Sequence, residues 1–215
     1  MMVNQKWIYY FIVICLFPVL MAAKETNPAK IIQNVEKKLD SAKSIRVVFK
    51  QTYIWELTGE EQSIEGELVL QGDDRFHVTT EDQIIVSDGQ TLWTYSKPSQ
   101  RVLIDRLSDS DNTLLPRQIL FQYTRSYATR MVGEEVISGK TCAVVMLTEE
   151  SGDAFFPEVT VWIEQDTWIP RKVEQVDIND NRTIYELNSV QFDLPMDASI
   201  FEFVIPEDTE VIDMR

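Results

Sequence analysis

Residues 84–96 read IIVSDGQTLWTYS, and their reading decides the fold. Asp88-Gly89 is strong turn chemistry, because glycine tolerates positive φ at little steric cost, and residues 84–86 and 91–95 flank it as two strands. Such a turn needs no large rings beside it. Trp93 and Tyr95 nevertheless stand two residues apart on one face, so they serve as ordinary core, as a binding surface, or as both.

The same alternation continues on either side of the hairpin. Ile45, Val47, Phe49, Tyr53 and Trp55 share one parity and Arg46, Lys50, Thr52 and Glu56 the other, which predicts a strand that buries one face. In the next segment Ile64, Leu68 and Leu70 oppose Glu65, Glu67 and Gln71. Further strands are predicted near 74–80, 83–87, 91–96, 99–106, 129–137, 141–148, 158–164, 169–177, 182–192 and 200–205, with additional turns at Ser138-Gly139, Gln165-Asp166 and Asn179-Asp180. Two segments carry helical spacing instead. Residues 27–44, NPAKIIQNVEKKLDSAKS, place Ile32, Val35 and Leu39 on one face behind an Asn27 cap and a first-turn proline. Residues 109–127, DSDNTLLPRQILFQYTRSY, repeat the pattern with Leu114, Leu115, Ile119 and Leu120. The expectation is a mainly β fold with α: an incomplete antiparallel β-barrel, or half-barrel, covered by a helical lid.

The first residues set the compartment. Lys6 is the lone charge before the apolar run WIYYFIVICLFPVLM at 7–21, which ends at Ala22 and Ala23. This is the pattern of a secretory signal peptide, with cleavage expected near Ala23. An uncut anchor helix needs roughly 20 consecutive apolar residues, and Pro18 interrupts this run. Lipid attachment at Cys15 is disfavoured by Ile14, which precedes it where a small residue is needed. The expected organisation is a signal peptide over 1–23 and a single domain over 24–215, a length sufficient for one sizeable core. The signal sequence implies an exported protein.

The formal net charge is −15, and removal of Lys6 makes the mature chain one unit more negative. A surface this acidic repels phosphate backbones and anionic lipid, which argues against nucleic acid as a partner. Removing the signal leaves Cys142 as the lone thiol, and the flanks TCAVVML predict a buried core residue. The single histidine, His77, has the parity of Arg75 and is expected to face solvent; no Gly-x-Ser-x-Gly elbow accompanies it. SDSD at 108–111 is expected to cap a helix. DINDN at 177–181 lacks the glycine and final glutamate of a calcium loop. Neither a metal, an organic cofactor nor an enzymatic activity is expected.

Four phrases in order, VVFKQ (47–51), GELVLQGDDRFHV (66–78), IIVSDGQTLWTY (84–95) and DASIFEFVIPEDTEVID (197–213), resemble the LolA family of periplasmic outer-membrane lipoprotein carriers. The resemblance implies an incomplete β-barrel whose hydrophobic cavity accepts acyl chains. It also implies a chaperone, monomeric, that takes acylated lipoproteins from an inner-membrane lipoprotein-releasing ABC transporter to an outer-membrane lipoprotein receptor. Carried onto this chain, the cavity would be lined by Val47, Phe49, Tyr53, Trp55, Leu68, Leu70, Phe76, Val78, Trp93 and Tyr95. Ile32, Val35, Leu39, Leu114, Leu115, Ile119 and Leu120 would form the lid. One departure stands out: the family commonly has a basic residue and a proline where this chain has Gly72-Asp73. Arg75 is either a substitute for that basic group or a turn residue on a solvated edge. A carrier or sensor of another lipid or glycolipid on the same fold is the alternative function.

Overall fold

A computed structural model describes residues 25–72, 74–109, 127–152 and 154–215. Helix α1, Pro28–Asp40, begins where Asn27 turns its Oδ1 onto the amides of Ala29 and Lys30 at 3.1 and 3.3 Å, with Pro28 pre-set for the first turn. Lys37 and Lys38 sit in the last turn, favourable to the helix dipole. Ile31, Ile32, Val35 and Leu39 are buried on one stripe, which fixes the face the helix turns inward.

Twelve strands follow among the described residues: β1 (Ser44–Ile54), β2 (Glu61–Gln71), β3 (Arg75–Thr80), β4 (Gln83–Asp88), β5 (Thr91–Ser96), β6 (Arg101–Arg106), β7 (Tyr127–Ile137), β8 (Lys140–Glu149), β9 (Glu158–Glu164), β10 (Ile169–Val176), β11 (Arg182–Phe192) and β12 (Glu210–Asp213). They form one sheet in the order β12-β6-β5-β4-β3-β2-β1-β11-β10-β9-β8-β7. Every pairing is antiparallel except that of β12 with β6. The sheet is open, since β7 and β12 are its two edges. Its turns are those the sequence signals: Gly89 has φ +99°, and Ser138 and Gly139 both have positive φ, as a two-residue hairpin turn requires.

The register assigns each side chain to a face. Val47 opposes Leu68, Leu68 opposes Val78 and Val78 opposes Ile85, so these four look the same way. On the other half, Val145, Val161, Val173 and Tyr185 continue that face across β8–β11. Helix α1 lies on it, touching β7 and β10, and its four buried residues join the same apolar cluster. This is the concave face.

Three expectations change. A strand near 200–205 is not formed; residues 198–201 make a 3-10 turn capped by Asp197, whose carboxylate accepts from the Ser199 amide at 3.0 Å. The actual last strand is β12, which runs parallel to β6 with Glu210 beside Arg101. The C-terminal residues thus form a strap over the convex face of β3–β6. It is anchored by Phe201, which is fully buried, and by Ser44 Oγ donating to the Leu194 carbonyl at 3.0 Å. The second lid helix, with Leu114, Leu115, Ile119 and Leu120, lies outside the described residues, and so does the segment expected to be a signal peptide. Among the described residues α1 is the one α-helix, so a helical lid is not established; an open, mainly β sheet with one helix on its concave face is.

Candidate functional site

The concave apolar face is the candidate site. Of the ten residues expected to line a cavity, Val47, Leu68, Leu70 and Phe76 are buried there, and Phe49 and Val78 are half-buried against them. The expected lid residues Ile32, Val35 and Leu39 pack into the same cluster from α1. Phe49 owes its position to Gly66, which faces it across the β1–β2 ladder. A Cβ on Gly66 would stand 2.8 Å from Phe49 Cζ and 2.7 Å from the Thr79 carbonyl oxygen. The ring therefore lies over bare backbone, where any other residue would push it into the concavity.

Tyr53 and Trp55 have the predicted parity but stand at the rim, in an edge-on pair with centroids 4.5 Å apart, outside the cluster. Trp93 and Tyr95 do not lie on the concave face. Their register partners are Val86 and Ile84 on one side and Ile104 and Val102 on the other, all on the convex face. There they form a second core with Phe203 of the strap, whose ring centroid lies 5.7 Å from that of Tyr95. The apolar residue that β5 sends into the concave face is Leu92. Parity alone labels two faces; it does not say which is inside when both are buried.

Sequence reasoning also misses the β11 contribution, Tyr185, Leu187 and Val190, for which the alternation in TIYELNSVQF is the available signal. Tyr185 is half-buried, yet burial pushes its hydroxyl up to about 12. A group enclosed on most sides but open on one behaves this way, as expected for the wall of a concavity. Near it, Thr183 pairs with both Tyr53 and Gln175, giving that end of the face a polar fringe.

Arg75 does not reach the concave face. Its parity is opposite to Phe76; its guanidinium stacks 4.9 Å from the Phe201 ring centroid and donates to Gln71 Oε1 at 3.1 Å. Gly72 has φ +65°, the turn conformation glycine favours. The basic group of the family pattern is therefore not replaced by Arg75.

Nucleophilic chemistry finds no constellation among the described residues. His77 is half-buried rather than solvent-facing: it lies on the convex face with Nε2 3.1 Å from Thr79 Oγ1, and desolvation lowers its pKa although the Ile200 backbone raises it. Cys142 is fully buried beside Val144 and Trp162, and burial pushes its thiol up. With five strands between β3 and β8, the two never meet. Asp177 in the DINDN turn spends its carboxylate on the amides of Asn179 and Asn181, at 2.7 and 3.0 Å, and so closes the turn by itself.

Comparison with known proteins agrees with this architecture. The family described as "Outer membrane lipoprotein carrier protein LolA" matches residues 40–204. The outer-membrane lipoprotein carrier protein of Erwinia tasmaniensis is 26% identical over 189 residues, covering 85% of this chain and 87% of that protein. An uncharacterized protein of Methanocaldococcus jannaschii is 21% identical over 216 residues; the match covers 95% of this chain but 61% of that relative. Among solved structures, an uncharacterized conserved protein from Thermus thermophilus shares the fold with a TM-score of 0.56 at 13% identity, covering 86% of this chain and 97% of that one. Since the match begins at the end of α1 and runs through every strand of the concave wall to the strap, the chain belongs to the LolA family of outer-membrane lipoprotein carrier proteins.

Proposed function

We propose that the protein is a periplasmic chaperone that seats the acyl chains of lipoproteins on its concave face and carries them from the inner to the outer membrane. The observation that carries this reading is the partly accessible apolar wall made by Phe49, Val78 and Ile85 on a floor of fully packed side chains. Burying a methylene contributes about 0.8 kcal/mol, so ten methylenes of an acyl chain laid on such a wall offer roughly 8 kcal/mol. That suits a cargo held firmly and released without a nucleotide. The chain carries no phosphate-binding loop, so the energy for loading comes from a partner, an inner-membrane lipoprotein-releasing ABC transporter, and delivery is to an outer-membrane lipoprotein receptor.

The reading takes the N-terminal apolar run as a cleaved signal, with the mature chain starting near Lys24. N-terminal sequencing of protein released by osmotic shock checks this, and full-length chain in the membrane pellet contradicts it. Depletion of the protein should leave outer-membrane lipoproteins at the inner membrane, and acylated protein should co-purify with it. A second reading, a carrier or sensor of another lipid or glycolipid, has the missing basic group at Gly72 in its favour. Normal lipoprotein sorting after depletion, with a non-protein lipid found by mass spectrometry of the purified sample, selects that one.

A further inference from the structure

Three turns at one end of the sheet expose large apolar side chains together. Leu57, in the β1–β2 turn, is 97% exposed; Ile178, in the β10–β11 turn, is 63% exposed and Phe155, between β8 and β9, 57%. They belong to one surface because the turns are bonded to each other. The Ile178 amide donates to the Phe155 carbonyl at 3.2 Å, and the Glu56 amide donates to Asn181 Oδ1, also at 3.2 Å. Each turn is held internally as well: the Gly59 amide reaches the Trp55 carbonyl at 2.8 Å, and Asp177 takes the amides of Asn179 and Asn181. The apolar tips are therefore presented by fixed backbone, at a solvation cost that folding alone gives no reason to incur.

The charge around them selects the occupant. Glu56, Glu60, Glu61, Glu150 and Asp180 lie in these same turns or at their ends. Among the described residues of these turns and their flanks Arg182 is a cation, and it already faces Glu56 and Glu174, each at 3.9 Å. A border of carboxylates repels an anionic bilayer and equally repels the same rim of a second copy. It attracts an apolar surface edged with lysine and arginine. We propose that this rim docks a protein partner of that chemistry, and, resting on the carrier reading for this identification alone, that the partner is one that hands over or receives the cargo.

The test places a photo-crosslinking amino acid at Leu57 in cells, identifies the captured protein, and measures its binding to the purified carrier. The expected result is one protein partner whose affinity falls with added salt. It should weaken tenfold or more in Leu57→Ser/Phe155→Ser and in Glu60→Lys/Glu61→Lys, while both variants keep the wild-type thermal midpoint and wild-type affinity for a fluorescent fatty-acyl probe. Crosslinks to lipid alone, flotation of the protein with vesicles of phosphatidylcholine and phosphatidylglycerol, or a captured partner indifferent to both variants overturns the proposal. Failure of the wild-type protein to bind the acyl probe overturns the carrier reading instead, and leaves the docking measurement standing on its own.

Discussion

The two faces of the β3–β6 half carry similar apolar side chains and treat them differently. On the convex face, Tyr95, Val102 and Ile104 are buried where the chain's own C-terminal strap lays Phe203 on them, the turn that holds Phe201 covering β3 and β4 beside them. On the concave face, Val78 and Ile85 stay half-buried above Leu68 and Leu70. The difference teaches that aromatic content does not mark a binding wall. What marks it is apolar surface that the chain leaves partly uncovered after covering the equivalent surface a strand's thickness away.

The comparison breaks first at Phe201. Its side chain is fully buried between the strap and the sheet and Arg75 stacks on its ring, so Phe201→Ala should cost about 3 to 5 kcal/mol in urea unfolding. The remaining folded protein should still bind an acyl probe with unchanged affinity, since the concave wall is untouched. Loss of binding at full folding would mean the two faces are not independent.

Tyr185 sharpens the contrast from the concave side. Its folded pKa, about 12, lies above the ordinary tyrosine value near 10, so the unfolded chain gives up its proton first. Stability from this group is intact below pH 10 and falls as pH rises towards 12, by about 2 to 3 kcal/mol in total. Tyr185→Phe should lack that component. Denaturant curves of the two proteins at pH 9 and pH 11.5 give the difference directly, and parallel pH dependence in both would place the hydroxyl in solvent.

Gly66→Ala should destabilise by about 1 to 3 kcal/mol, because the new Cβ meets the Thr79 carbonyl and the Phe49 ring. It should also weaken acyl-probe binding about tenfold, as the displaced ring fills the concavity. Phe49→Leu in the same chain should recover most of the binding, which separates a filled cavity from a damaged fold. The smallest effect is expected at Trp93→Leu, about 1 kcal/mol of stability with no change in probe affinity, because the half-buried ring packs on the convex side.

These contrasts also show where the sequence is legible. In β1 and β2 most residues of one parity are polar, with Val48, Ile54 and Val69 as exceptions, so the inward face of Val47, Phe49, Leu68 and Leu70 follows from the letters. In β5 both parities are apolar: Leu92 goes to the concave core, and Trp93 and Tyr95 go beneath the strap. Nothing local distinguishes them, because the cover over Trp93 comes from residues roughly a hundred positions later in the chain. The strap defeats a reading by alternation for a related reason. IFEFVI alternates like a strand, but Phe201 ends a 3-10 turn and Phe203 follows it in extended chain, both pointing at the sheet. Residues 210–213 are exposed throughout and carry no amphipathic signal, so only their pairing with β6 reveals β12. Gly66 is visible as a letter, but its use as a bed for Phe49 depends on the cross-strand register.

The pairing of β1 with β11 has a consequence in time. Ile45 is matched to Phe192, so the first strand of the sheet waits for the last long one. A chain that emerges from its N-terminus onward can assemble β1–β6 and β7–β10 as separate antiparallel runs; β11 can begin to join them at Arg182, opposite Ile54, but the ladder is complete only when Phe192 has arrived. Closing such a distant ladder is slow compared with hairpin formation. Until then the central edges of both runs are bare. Closure of the whole sheet is thus a late event, set by residues near the far end of the chain rather than by the hairpins that form first.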